Sequence, residues 1–116
     1  MMHEYKATLV RVVDGDTYDF DIDLGFHVTV RERVRLLGID TPEYYRPKSA
    51  GEKQHAIEVI DYLYNLIPLG STVKLRTKKT GKYGRWLADI IIDDIGSLAS
   101  LLEAKGFEKR KTYDPV

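Results

Sequence analysis

Tyr18-Asp19-Phe20-Asp21-Ile22-Asp23-Leu24 decides the fold class. Apolar and acidic residues alternate here with the two-residue period of a strand that buries one face and wets the other. Gly25 interrupts the pattern, which resumes in Val28, Val30, Val34 and Leu36. Two such runs joined near Leu24-Gly25-Phe26 predict a hairpin, and Thr8 to Val13 supplies a preceding strand. Pro42, with no N–H to give a ladder, ends this β-rich stretch.

Downstream the period changes. Ser49 and Glu52 stand in capping-box spacing, and Ala56, Ile57, Ile60, Leu63, Tyr64 and Ile67 recur at helical intervals. These predict a helix from about Ala50 to Leu66, ended by Pro68 and Gly70. Tyr62 and Tyr64 are expected to bury their rings and send their hydroxyls to water. Val73, Leu75 and Thr77 alternate with bases as another strand, and Trp86 to Ile92 forms one more. Ser97 can cap a short helix through Leu101 and Leu102, closed by Gly106. The tail from Phe107 to Val116 reads as polar and irregular. Three strands, a helix, two strands and a helix predict an α+β, mainly β fold: a five-stranded OB-fold barrel with two helices.

The 116 residues fit a single domain spanning 1–116, with no repeat or linker. No apolar run is long enough to cross a bilayer, so no membrane partner is expected. Met1 to Lys6 shows no signal peptide, and localisation stays open between a cytoplasmic and a mature secreted form. Cysteine is absent, which excludes disulfides and thiolate metal sites. His3, His27 and His55 fall on different elements, which disfavours a histidine metal centre or base.

Net charge is zero, but the charges are segregated. Acids gather at Asp14, Asp16, Asp19, Asp21 and Asp23. Bases gather at Arg31, Arg33 and Arg35, then again from Lys74 to Arg85. Solvated strand faces would account for both runs, and so would an acidic metal pocket beside phosphate-binding bases.

Phosphodiester hydrolysis separates these readings, because it needs hard cations, a carboxylate to handle a proton, and guanidinium groups for the phosphoryl oxygens. Asp16 lies in Val13-Asp14-Gly15-Asp16-Thr17, and Asp40 in Gly38-Ile39-Asp40-Thr41-Pro42-Glu43. If those strand ends meet, the two aspartates offer oxygen ligands to calcium or magnesium. Glu43 could orient or deprotonate water, while Arg35 and Arg85 could clamp a phosphate bidentately. Tyr44 and Tyr45 could flank the substrate groove. Taken singly, Asp-Gly is a common turn dipeptide and either arginine could be a surface ion-pair partner. The set in order is far more specific than any member.

Val13-Asp14-Gly15-Asp16-Thr17, Arg35-Leu36-Leu37-Gly38-Ile39-Asp40-Thr41-Pro42-Glu43 and Lys82-Tyr83-Gly84-Arg85 together resemble the staphylococcal (micrococcal) nuclease family. The resemblance runs from Lys6 to Tyr113-Asp114-Pro115. It implies a Ca2+ cofactor held by Asp16, Asp40 and the Thr41 carbonyl, with Glu43 as general base or water-positioning group. It implies that Arg35 and Arg85 hold the scissile phosphate, that Lys82 and Tyr83 contact a neighbouring phosphate, and that Tyr113 lies against a substrate base. Asp14 and Thr17 would support the metal site from behind its ligands. The implied activity is non-specific cleavage of DNA or RNA, leaving 3′-phosphate ends.

The sequence departs from that pattern in a longer hairpin from Tyr18 to Arg33, in its neutral charge, and in stopping where the family continues into a C-terminal helix. That helix is therefore expected to be absent, with stability lowered unless an oligomer or a repacked tail compensates. Weaker DNA affinity with a smaller salt dependence is expected from the charge. The competing expectation is a non-catalytic barrel that binds nucleic acid or protein. Such domains usually lose at least one metal carboxylate or arginine, whereas this chain keeps them all. A purely structural protein would explain none of the spacing.

Overall fold

The computed structural model describes residues 3–78 and 86–113. Its elements are β1 (His3–Asp14), β2 (Thr17–Asp23), β3 (Thr29–Leu36), α1 (Ala50–Leu66), β4 (Thr72–Thr77), β5 (Trp86–Ile92), β6 (Gly96–Ser97) and α2 (Leu98–Ala104). The sheet runs β3-β2-β1-β4-β5-β6, and a parallel pairing of β3 with β5 closes the first five strands into a barrel. The fold is therefore α+β, an OB-like five-stranded closed barrel with one extra short strand and two helices.

The alternation in β2 does what its pattern dictates. Tyr18, Phe20 and Ile22 are buried, and Asp19 and Asp21 face outward. Across the β2–β3 pair, Asp19 stands opposite Arg33 and Asp21 opposite Arg31. The predicted solvated acidic face is thus an ion-paired one. Leu9, Val34, Leu36, Leu75 and Ile90 complete the barrel core, and Leu63, Leu98 and Leu102 plug it from the helices. Full burial of each such side chain favours the fold by about 1.5–3 kcal/mol before chain entropy opposes it.

α1 has the predicted bounds, and the Ser49 side chain accepts from the Glu52 N–H at 3.1 Å. The reciprocal half of the capping box does not form. The Glu52 carboxylate takes the Lys48 and Glu43 N–H groups instead, both at 2.9 Å, because the chain entering the helix folds back over its first turn. The Tyr64 hydroxyl is also diverted from water. It accepts the Val12 N–H at 3.0 Å, close to the register shift between Val12 and Asp14 on β1.

β1 begins at His3, earlier than expected, since His3 to Thr8 pair with Thr77 to Thr72 of β4. β6 was not anticipated, because a two-residue strand carries no readable period. From Phe107 to Tyr113 the tail is irregular but docked. Phe107 packs on Tyr62, and buried His55 on α1 bonds Tyr113 Oη at 2.8 Å and the Gly106 carbonyl at 3.1 Å.

Candidate active site

The Asp14-Gly15-Asp16 turn joins β1 to β2, and it sits tightly against α1. A Cβ on Gly15 would lie 2.6 Å from Val59 Cγ1 and 2.7 Å from Thr41 Oγ1. Only glycine allows this approach, which carries the turn down to the loop after β3. The Leu36 N–H donates to the Asp16 carbonyl at 2.8 Å and stitches the start of β2 to the end of β3.

Asp16 is buried at 7% exposure. Its Oδ1 accepts the Thr17 hydroxyl at 3.1 Å, and its Oδ2 accepts the Thr41 N–H at 3.1 Å. Arg35 Nη2 lies 3.5 Å from Asp16 Oδ2 and also bonds Asp40 Oδ1. The two aspartates on separate strand ends therefore converge on one positive nitrogen. Asp16 is sheltered, whereas the Asp40 side chain is 72% exposed.

Asp14, Asp16, Thr17, Arg35 and Glu43 line one cleft together with Arg33, Tyr45 and Arg46. Asp40 reaches the group from the adjoining surface through Arg35. Burial raises the Glu43 carboxyl above its ordinary value, and the Asp14 and Asp16 charges push it further in the same direction. Asp14 is raised as well. Its burial outweighs the Tyr44 N–H that it accepts at 2.9 Å. Raised carboxyls beside arginines in a cleft are a common property of proton-handling sites.

Those residues form the part of the expected constellation that the structure brings together. Lys82, Tyr83 and Arg85 lie outside the described residues. Tyr113, in the tail, lies against α1, where its hydroxyl bonds His55 and accepts the Arg110 N–H at 3.0 Å. Asp14 accepts the Tyr44 N–H. Among the described residues, no group of three or more His, Cys, Asp or Glu side chains converges to hold a metal. The donor chemistry nonetheless suits a hard cation. Two carboxylates aim at one cationic atom, and Thr41 Oγ1 is buried beside the Asp16 turn without a hydrogen-bond partner. Such an ion takes six or more oxygens, so water and substrate would complete the shell.

One device of the site had no sequence signal. Glu52, 1% exposed, accepts the Glu43 N–H and lies 3.1 Å from Lys109 Nζ. The Lys109 N–H donates to the Asp40 carbonyl at 2.8 Å. Loop, helix and tail meet on one carboxylate. Burial pushes the Glu52 carboxyl up, but the Lys48 and Glu43 N–H groups and the Lys109 ammonium outweigh it and hold it below its ordinary value.

A small closed barrel with carboxylates and an arginine gathered where β1, β2 and β3 meet defines an OB-like domain with a charged site at the ends of those strands. The chain belongs to the Staphylococcal nuclease homologue family, whose model matches residues 33–115. Endonuclease YhcR of Bacillus subtilis (strain 168) is 33% identical over 119 residues, an alignment covering 97% of this chain and 9% of that protein. The chain thus spans a small fraction of that relative's length. Membership in this family points to a nuclease function acting on nucleic acid.

Proposed function

We propose that residues 1–116 act as one calcium-dependent nuclease domain that hydrolyses phosphodiester bonds of DNA or RNA with little sequence preference. The observation that carries this reading is the convergence of Asp16 and Asp40 on one cationic nitrogen beside the cleft that Glu43 lines. Family membership supports it.

In this reading Asp16, Asp40 and the Thr41 carbonyl would hold a calcium ion, which would supply positive charge to offset the phosphate's repulsion. Arg35 exchanges its carboxylate partners for phosphoryl oxygens, which its planar fork can bind bidentately. Glu43, on the wall of the cleft, orients the attacking water and takes its proton on a carboxylate oxygen. Thr17 and the Thr41 N–H fix the Asp16 carboxylate, and Asp14 fixes the loop behind Glu43 through the Tyr44 N–H. Arg85, Lys82 and Tyr83 are assigned to the phosphates and Tyr113 to a base by resemblance to the family. By the same resemblance, the bond cleaved is the one to the 5′ oxygen, which takes a proton from solvent as it leaves, giving a 5′-hydroxyl and a 3′-phosphate end.

The test is digestion of single-stranded and duplex DNA with calcium and then with chelator. Calcium-dependent cleavage is expected, and Glu43→Gln should slow it by about 10²- to 10⁴-fold, the usual range for loss of a general base. A Glu43→Gln protein with unaltered rate would remove Glu43 from the mechanism. Oligonucleotide affinity indifferent to calcium, with no turnover, would establish a binding module instead.

A further inference from the structure

The cleft continues past Glu43. Tyr45 stands on its rim, 55% exposed, and is also a wall of a second depression of about 360 Å³ beside β1 and α1. Val13 and Tyr45 line both depressions, so a chain that leaves the cleft across Tyr45 enters this groove directly. The groove is lined by Val12, Ile57, Ile60, Tyr44 and Tyr64, with Arg11 and Asp61 at its edges. Tyr64 commits its hydroxyl to Val12, which leaves its ring as apolar surface.

The aromatic ridge is held from several sides. Tyr44 packs edge-on against Tyr45, with ring centroids 5.0 Å apart at 86°. Lys53 Nζ lies 3.5 Å from the Tyr44 ring centroid and donates to the Tyr44 carbonyl at 2.8 Å. The Tyr44 N–H is bound by Asp14, and Arg11 bonds the Tyr45 hydroxyl. A platform already ordered loses little entropy on engaging a ligand.

We propose that Tyr45 and this groove form a subsite for a nucleobase flanking the scissile phosphate of a single-stranded nucleic acid. The inference rests on the nuclease reading given above and names its substrate form. A single strand presents phosphates and base faces in alternation. The arginine-lined cleft suits the phosphates, and the aromatic groove beyond it suits a base, which can stack without regard to sequence. Arg11 at the groove edge suits the next phosphate, while Asp61 at the same groove disfavours one lodged inside it. A paired base keeps its faces within the duplex stack and cannot enter, so the subsite selects unpaired strands.

The test is fluorescence anisotropy with labelled oligothymidylate, in calcium, using Glu43→Gln protein to prevent turnover. Tyr45→Ala in that background should weaken binding about 5- to 150-fold, the range of one lost base–aromatic stack, and Tyr45→Trp should restore it. An oligomer with an abasic residue in the base-flanking position should lose the same factor, with no further loss on adding Tyr45→Ala. Unchanged affinity for Tyr45→Ala would overturn the subsite. An equal loss for intact and abasic oligomers would also overturn it, because Tyr45 would then act through Arg11 and a phosphate. Failure of the Glu43→Gln protein itself to bind any oligomer would overturn the nuclease reading and this inference with it.

Discussion

Two regions of the domain carry ion pairs of similar length and opposite consequence. On the β2–β3 hairpin, Arg31 and Arg33 each grip an aspartate through two nitrogens, with Nε at 2.8 Å from Asp21 and 2.9 Å from Asp19. Behind the cleft, Lys109 meets Glu52 at a longer 3.1 Å. The hairpin arginines are 66% and 59% exposed, whereas the Glu52 side chain is 1% exposed. Water already solvates the hairpin charges in the unfolded chain and largely continues to do so in the folded one. Glu52 has given up its water and, among the described residues, is held by Lys109 and two backbone N–H groups. Desolvation, not distance, ranks the two regions.

Removing the buried partner should have the largest effect. Glu52→Ala is expected to cost about 3–5 kcal/mol of unfolding free energy, because two N–H groups lose their acceptor and an ammonium its counter-ion. Urea titration with a tryptophan or circular-dichroism readout measures it, and a loss no larger than that of the hairpin variants would break the comparison. The carboxyl also predicts a pH dependence. Its folded value is held below the unfolded value of 4.5, so the folded state binds fewer protons in that window. Its stabilising contribution is full above about 4.5 and is lost as pH falls through the depressed folded value. Glu52→Gln should flatten that acid limb of the stability profile.

Lys109→Met tests the same device from its exposed side and should cost less, about 1.5–3 kcal/mol, the usual range for a hydrogen bond to a charged group. Glu52 would keep its two backbone donors, and Lys109→Arg should recover most of the loss. If Lys109→Met matched the wild-type denaturation midpoint, the tail would be a bystander and the backbone N–H groups alone would satisfy Glu52.

These residues also mark how far the sequence could be read. The barrel strands and α1 were legible because each announces its own period within a few residues, as Tyr18-Phe20-Ile22 does. Asp16, Arg35, Asp40, Thr41 and Glu43 could be picked out together as candidates, since short motifs at strand ends carry them. Glu52 was visible only as a helix cap. Its real partners come from Glu43, Lys48 and a lysine in the tail, and no local pattern encodes a contact across 57 positions. The groove beside Tyr45 was equally hidden, because it is assembled from β1, the loop and α1. The His55–Tyr113 bond likewise joins helix and tail.

The smallest effect is expected from the hairpin. Asp21→Asn leaves Arg31 in solvent with its own hydration, so the urea midpoint should stay within error of wild type and should respond little to added salt. The ladder's use lies elsewhere. Among the described residues β3 pairs with β5 from Val34 to Leu36, and none pairs with Thr29 to Arg33 on that side. Charged residues on such an edge oppose pairing with a second chain. Replacing Arg31 and Arg33 together by Thr should therefore leave unfolding nearly unchanged while raising light scattering on concentration. A double variant that unfolds as readily as Glu52→Ala would show that the exposed ladder carries stability after all.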